Sequence, residues 1–285
     1  MELKKQTKNL TAQIRKKIIG SPEEANAQAR ERYINNFGEI TPSDITSDIS
    51  NIISKIFVIQ TNLFLQARKE IEGNWLSYVD TFENAEEKFP DYFDARMKLE
   101  EILESSINTK NKIESLLAFI APMQTSVAIS NTQSAKFRAG NALESHLKYL
   151  FNKLDMKFDT QVKPENTGGN EKFDFIFPSN ELFEDIPNDC MLCEAQTTLK
   201  DRFRLTQGKA NTVPTNKYLF TASGAGIVRD TDTSDFTKEK LNELQSKGVT
   251  LVVLKEVKEI FNHSIMKSYE EFVSTIYPSQ SFRWE

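Results

Sequence analysis

The stretch Met191–Arg204 decides the fold class, and its sequence is MLCEAQTTLKDRFR. The apolar residues at its start predict a buried strand, and the donor-rich residues from Thr198 onward predict a helix that extends to about Asn211. Period-two geometry places Glu194 and Gln196 on the same face of that strand. A strand that leads into a polar helix is typical of a mixed α/β domain.

A second acidic residue precedes Glu194 by twenty positions. Asp174 lies in the segment KFDFIFP, among large apolar residues that also predict a strand. A carboxylate in such surroundings is costly unless it is paired or used. Asp174 and Glu194 on neighbouring strands would offer oxygen ligands to one hard cation, and Mg²⁺ is the cation that suits them. The alternative is that both are surface acids on edge strands.

The chain divides into two regions with different patterns of apolar residues. Up to about residue 130, apolar residues recur at helical spacing, and breaks at Gly20–Pro22, Thr41–Asp44 and Phe89–Asp91 separate four or five predicted helices. Ser21 is a candidate helix cap. Beyond a further helix over 134–154, short strand-like runs alternate with turns and helices, which predicts an α/β domain over 131–285. The runs are Phe158–Val162, Phe173–Phe177, Met191–Gln196, Tyr218–Thr221 and Thr250–Leu254, with a helix at Thr237–Lys247 that ends at Gly248.

Composition excludes several classes of protein. The 285 residues are 39% hydrophobic and 27% charged with two cysteines, which rules out a disordered chain and a disulfide scaffold. No signal-like segment and no run of 18 apolar residues is evident, so a cytosolic protein is expected. Cys190 and Cys193 have the spacing of half a zinc site, but only His146 and His263 remain as partners, so core cysteines are favoured.

Two basic stretches stand out against a net charge of −5. The first is Lys4–Lys17, and the second follows Gln196. Within the second, lysine or arginine can donate to guanine and aspartate can accept from cytosine, so three adjacent residues predict recognition of G·C pairs in the major groove: Lys200, Asp201 and Arg202. Arg204 is better placed for a phosphate or a neighbouring acid. The alternative is a solvated helix face.

These motifs resemble the catalytic domain of EcoRII-type restriction endonucleases, within the PD-(D/E)xK nuclease superfamily. The family pattern is KPDFLFP followed by AKTTCKDRWR, which matches the segments around Asp174 and Arg202. The segment Phe137–Leu147, FRAGNALESHL, is similar to another family helix, and the runs at 217–221 and 248–253 resemble two later strands. The resemblance covers about residues 134–260 and leaves residues 1–130 uncovered.

The chain departs from the family pattern at the active site. The family has lysine at the position of Gln196 and glutamate at the position of Lys209, and it usually lacks an acid at the position of Glu194. The set of one Asp, one Glu and one Lys is therefore kept in a rearranged order. A Glu-x-Gln pair also resembles a known variant of the superfamily, which indicates that glutamine is tolerated.

The resemblance implies a role for each residue. Asp174 and Glu194 would hold Mg²⁺, Gln196 would orient water, and Lys209 would offset phosphate charge, unless Lys209 is an ordinary surface lysine. Glu144 either completes the metal site or pairs with a neighbour such as Lys148 one helical turn away.

The expected function is that of a Type II restriction endonuclease that cuts double-stranded DNA at a short palindrome with CC and GG half-sites. The expected architecture is a PD-(D/E)xK mixed sheet flanked by helices over 131–285, preceded by an all-helical region over 1–130 that wraps DNA or dimerises. A homodimer, a cognate DNA methyltransferase and a bacterial cytoplasm are implied. The alternatives are a DNA-binding protein that has lost cleavage, another PD-(D/E)xK nuclease, and a helical interaction protein without DNA affinity.

Overall fold

The computed structural model describes residues 2–167, 172–199, 213, 215–224 and 236–283. The chain forms two compact units. The first comprises Met1–Ala25 and Asn62–Arg138, and the second comprises Asn26–Thr61 and Ala139–Glu285.

Helices dominate the first part of the chain, as the periodicity predicts. Ser21 begins α2 with a reciprocal cap, because its hydroxyl accepts from the Glu24 amide at 3.2 Å and its own amide donates to the Glu24 carboxylate at 2.6 Å. Thr41 and Asp44 form the same arrangement at the start of α3. The helices are α1 Glu2–Ile19, α2 Pro22–Phe37, α3 Pro42–Val79, α4 Ala85–Lys88, α5 Pro90–Glu104 and α6 Thr109–Lys153.

The first unit has its own apolar core. Leu10, Trp75, Tyr92 and Val127 are among the residues buried in it, and the Trp75 and Tyr92 rings meet edge to face with centroids 6.1 Å apart. Arg15 is also buried, and its guanidinium donates to the Ser130 hydroxyl at 3.1 Å and the Asn131 side-chain oxygen at 2.8 Å. These hydrogen bonds join α1 to α6.

The second unit contains a mixed five-stranded sheet in the order β1-β2-β3-β4-β5. β1 is antiparallel to β2, and the other neighbouring pairs are parallel. Helices connect the parallel strands where the structure describes the connections. The strands are β1 Phe175–Phe177, β2 Met191–Gln196, β3 Asn216–Thr221, β4 Val249–Val253 and β5 Met266–Ser268, and the helices are α7 Asn180–Asp185, α8 Lys238–Ser246, α9 Lys255–Phe261 and α10 Tyr269–Arg283.

Residues 26–61 pack with the sheet-containing unit, so the compact units do not follow the division at residue 130. Ser50 on α3 donates to both carboxylate oxygens of Glu270 on α10, from its amide at 2.8 Å and its hydroxyl at 2.9 Å. Ile45, which precedes a kink in α3 at Asp48, and Ile49 and Ile53, which follow it, are fully buried. Helical spacing showed that these isoleucines form one face but not which partner covers it, and hydropathy patterning cannot supply that information.

Most strand predictions are confirmed, with one exception and one omission. Phe158–Val162 is not a strand, because only isolated bridges form there, Asp159 to Ile176 and Val162 to Phe173. β5 was not predicted because Met266, Lys267 and Ser268 do not form the apolar run that marks the other strands. Gly248 follows α8 with a φ of 65°, as expected at a helix end.

Among the described residues, one helix, α6, is long and apolar enough to cross a membrane by length and composition alone. The apolar residues of α6 are interrupted by polar ones and do not form an unbroken run of 18 apolar residues. Leu143, Leu147 and Phe151 in its C-terminal part are fully buried.

His146 on α6 is buried in a network of side chains. Arg30 of α2 has only donors and lies 3.3 Å from His146 Nδ1, so the ring carries its proton on Nε2 and donates to Gln60 Oε1 at 3.0 Å. Gln60 in turn donates to Asn26. Burial, reinforced by the Arg30 charge, lowers the pKa of His146 to about 3.

Stability is therefore expected to fall as the pH drops below 6.5. Between the folded pKa of about 3 and the unfolded value of 6.5, only the unfolded chain binds a proton at His146. The free energy of unfolding should decrease by about 2 kcal/mol between pH 7 and pH 5 from this histidine. In urea unfolding, the free energy of unfolding of His146→Gln should therefore decrease between pH 7 and pH 5 by about 2 kcal/mol less than that of the wild type. His263→Gln, which changes the other histidine, should keep the full dependence, and equal slopes for both variants would contradict the account.

Candidate active site

Asp174 immediately precedes β1 and is held in position by hydrogen bonds to the backbone of β2. The register that pairs Phe175 with Cys193 places Asp174 opposite Glu194, and the Asp174 amide donates to the Cys193 carbonyl at 3.2 Å. The Ala195 amide donates to Asp174 Oδ2 at 2.7 Å. Because the Asp174 residue is only 4% exposed, the alternative of a surface acid does not hold for it.

Glu194 lies on an interior strand of the sheet and is 2% exposed, so it is not a surface acid either. Residues directly opposite each other on antiparallel strands project to the same face, which puts the Asp174 and Glu194 side chains on one side of the sheet. Gln196 shares that face and donates from Nε2 to Glu194 Oε1 at 2.8 Å. The structure thus brings these three predicted residues together.

Glu144 on α6 joins this group through a residue that the sequence did not single out. Gln161 Nε2 donates to Glu144 Oε1 at 2.8 Å and to Asp174 Oδ1 at 3.1 Å. These contacts link Glu144 to Asp174, and Lys148 donates to the Thr160 hydroxyl at 3.3 Å. Gln161 has a left-handed φ of 56°, which the strand-like composition around it does not signal.

The end of β2 is tied to the elements around it. Thr197 is buried and donates from its hydroxyl to the Ala139 carbonyl at the start of the α6 segment in this unit. The Thr221 hydroxyl donates to the Thr197 carbonyl at 3.4 Å, and the Tyr269 hydroxyl donates to the Thr221 carbonyl at 3.0 Å. These contacts hold the carboxylate face of β2 in place.

The chemistry of this donor set fits a hard divalent cation. Carboxylate oxygens are the preferred ligands of Mg²⁺, and Asp174, Glu194 and Glu144 supply them. No three acidic, histidine or cysteine side chains within the described ranges are close enough together to hold an ion by themselves. A cation at this face would therefore rely on one or two carboxylates and on water or phosphate, which is how proteins commonly bind Mg²⁺.

Five predicted site residues lie outside the part of the chain that the structure describes: Lys200, Asp201, Arg202, Arg204 and Lys209. In the first basic stretch, Arg15 is engaged within the protein by Ser130 and Asn131 rather than presented at the surface. The motif residue Arg138 donates to the carbonyls of Gly20 at 2.7 Å and Ser21 at 3.2 Å, a structural role at the end of α1.

The two cysteines are buried and not bonded to each other. Burial raises the pKa of Cys190 to about 11 and raises that of Cys193 well above its ordinary value. Both thiols are therefore protonated at neutral pH, as expected for core cysteines.

Solved structures with the same fold are restriction endonucleases. Metal-depleted Ecl18kI in complex with uncleaved, modified DNA matches with a TM-score of 0.72 and 20% identity, over 98% of this chain and 85% of that one. The PspGI–substrate DNA complex matches with a TM-score of 0.56 and 14% identity, over 94% of this chain and 95% of that one. The class of fold is thus that of the restriction endonucleases, a mixed sheet flanked by helices.

Sequence comparison narrows this class to a family. The family model described as EcoRII C terminal matches residues 96–274, more than half of the chain. The chain belongs to this family. The Type II restriction enzyme EcoRII of Escherichia coli is 34% identical over 135 residues, which are 45% of this chain and 30% of that relative. The chain therefore aligns with less than a third of the length of that relative.

Proposed function

We propose that the protein is a Type II restriction endonuclease that cuts both strands of DNA. The observation that carries this proposal is the buried pair Asp174 and Glu194, in register on β1 and β2 at one face of the sheet. Membership of the EcoRII C-terminal family and the DNA complexes of Ecl18kI and PspGI support it. A bacterial cytoplasm is the proposed location, in keeping with the Escherichia coli relative.

Mg²⁺ is the proposed cofactor, held by Asp174 and Glu194, with Glu144 next to Asp174. Bound Mg²⁺ supplies an activated water and stabilises charge on the phosphate during hydrolysis. Neighbouring groups of the chain form hydrogen bonds to the two carboxylates. The Ala195 amide orients the Asp174 carboxylate, and Gln196 engages Glu194 while its position beside the acids suits it to orient water. Lys209 would offset the phosphate charge.

Recognition is proposed to depend on the residues that follow β2. Lys200 and Arg202 would donate to guanine, Asp201 would accept from cytosine, and Arg204 would contact phosphate. The proposed target is a palindrome with CC and GG half-sites. Such a nuclease would also cut host DNA at the same site, so a cognate methyltransferase is the proposed genetic partner. The basic stretch Lys4–Lys17 and the other helices of residues 1–130 would contact the DNA backbone or the second protomer.

A homodimer is proposed, because a palindromic site has a two-fold axis that a symmetric protein can match. An apolar surface in the first unit suits such an interface. Ile113 and Leu117 lie one turn apart on α6 and are 51% and 59% exposed. Exposed apolar clusters of this kind commonly mark contacts between proteins.

Charges placed on this surface are expected to separate the dimer. Ile113→Glu combined with Leu117→Glu would place two carboxylates in an apolar interface, each with a desolvation cost of several kcal/mol. Sedimentation of the full chain should show a dimer for the wild type and a monomer for the double variant. Ile260→Glu, at an exposed position of α9, should stay dimeric. A monomeric wild type, or a dimeric double variant, would refute this interface.

The main alternative is a DNA-binding protein that has lost cleavage, which Gln196 at the lysine position favours. Measuring DNA binding and DNA cleavage separately distinguishes the endonuclease from the binding protein. A duplex with CC and GG half-sites and a duplex with both half-sites scrambled should be compared by gel shift with Ca²⁺, and then by cleavage with Mg²⁺. The proposed endonuclease prefers the first duplex and cuts it, and Lys209→Ala should keep binding but lose cleavage. A binding protein shows the same preference and leaves both duplexes intact.

A further inference from the structure

One amide nitrogen contacts two of the candidate ligand carboxylates. Gln161 Nε2 carries two hydrogens and lies 2.8 Å from Glu144 Oε1 and 3.1 Å from Asp174 Oδ1. The two acids come from different elements, α6 and the segment before β1. A partly positive NH₂ group between two carboxylates reduces their mutual repulsion, which is also the electrostatic effect of a bound cation.

Asp174 does not need Gln161 to keep its position. Its backbone amide donates to the Cys193 carbonyl, and its Oδ2 accepts from the Ala195 amide at 2.7 Å. These bonds come from the backbone of β2, which is paired on both sides. The carboxylate would therefore remain oriented after the glutamine side chain has moved away.

Gln161, in contrast, lies outside the strands of the sheet. Its residue is exposed and has a φ of 56°, between the isolated bridges at Asp159 and Val162. Both bridges have the same register, so Gln161 lies opposite Asp174. The left-handed backbone interrupts what would otherwise be a continuous strand. An exposed glutamine can exchange these hydrogen bonds for bonds to water, which limits the net cost of its release to about that of one hydrogen bond to a charged group.

We propose that Gln161 is a placeholder for the divalent cation: its amide engages the Glu144 and Asp174 oxygens in the cation-free protein and leaves them when the cation binds. Gln161 is thus a positioning residue that competes with the cation. This inference rests on the proposed function for its cation. It predicts that loss of the amide strengthens cation binding, because the cation-free state then retains the repulsion between the two carboxylates.

The test is Gln161→Met, which keeps the length of the side chain and the cost of the left-handed backbone but removes the N–H donors. Mn²⁺ should be titrated into the full-length protein without DNA, and free Mn²⁺ followed by electron paramagnetic resonance. Gln161→Met is expected to bind Mn²⁺ about tenfold more tightly than the wild type, the size of one hydrogen bond to a charged group. A residue with a merely structural role would weaken cation binding or leave it unchanged.

Gln245→Met is the matched control, because Gln245 is exposed on α8 and should leave Mn²⁺ affinity unchanged. Gln161→Asn is a second variant, since asparagine tolerates the left-handed backbone and its amide is one methylene too short to reach both acids. Tighter binding by both Gln161 variants supports the placeholder. Equal or weaker binding, or no binding by any of the proteins, overturns it.

The outcome is separable from that of the proposed function. If wild-type protein cuts DNA with Mg²⁺ but Gln161→Met binds Mn²⁺ no more tightly, the placeholder is wrong and the endonuclease stands. If Gln161→Met binds Mn²⁺ more tightly but no protein cuts DNA, the placeholder stands and the endonuclease is wrong.

Discussion

Asp174→Asn is expected to reduce DNA cleavage on the order of 1000-fold while leaving the protein folded, because charge stabilisation by a metal contributes several kcal/mol to such reactions. The substitution keeps the volume of the side chain and removes one negative charge. The Ala195 amide, which donates to Asp174 Oδ2 at 2.7 Å, can donate to the asparagine oxygen instead. Single-turnover cleavage of a duplex with CC and GG half-sites measures the effect.

Two comparisons make this result specific. Asp185→Asn removes an exposed carboxylate of α7 and should cleave at the wild-type rate. Binding of the same duplex by Asp174→Asn should persist in a gel shift, because the proposed base-reading residues follow β2 and do not include Asp174. Cleavage by Asp174→Asn at close to the wild-type rate would show that Asp174 does not take part in the reaction.

Phe151→Ala is expected to reduce the free energy of unfolding by about 3–5 kcal/mol, the range for removal of a large buried aromatic side chain. Phe151 on α6 is fully buried and its ring contacts the rings of five other phenylalanines: Phe158, Phe175, Phe177, Phe220 and Phe272. This cluster packs α6 and α10 on the sheet that carries the carboxylates. Alanine would leave a cavity at its centre.

Guanidinium unfolding followed by circular dichroism measures this loss. Ile260→Ala, at a position 76% exposed on α9, is the control for truncation of an apolar side chain and should change stability by less than about 0.5 kcal/mol. A loss below about 1 kcal/mol for Phe151→Ala would mean that the phenylalanine cluster does not hold α6 on the sheet.

Local patterns in the sequence were sufficient for much of the fold. The apolar runs of β2 and β4, the cap at Ser21 and the helix end at Gly248 each depend on neighbouring residues, and the structure has all of them. Partners distant in the sequence were not predictable. Helical spacing could not assign residues 26–61 to the unit that contains the sheet, because an apolar face does not specify what covers it.

The same distinction applies to the candidate site. Alternation along β2 predicted that Glu194 and Gln196 share a face, because the period of a strand is a local property. The register that places Asp174 opposite Glu194 joins residues twenty positions apart and comes from the structure. Gln161 was missed because its position opposite Asp174 depends on a left-handed residue within a strand-like run. Arg15 lies in the basic stretch Lys4–Lys17, and composition cannot show that its side chain is buried, because its partners Ser130 and Asn131 lie more than a hundred residues away in the sequence.

The most direct test of the proposed function is digestion of phage DNA of known sequence by the purified protein, with Mg²⁺ and with EDTA, followed by run-off sequencing of the ends. We expect discrete fragments with Mg²⁺ only, with every cut at a palindrome that contains CC and GG half-sites. Intact DNA at all Mg²⁺ concentrations, together with a specific gel shift, would contradict the endonuclease and identify a DNA-binding protein instead.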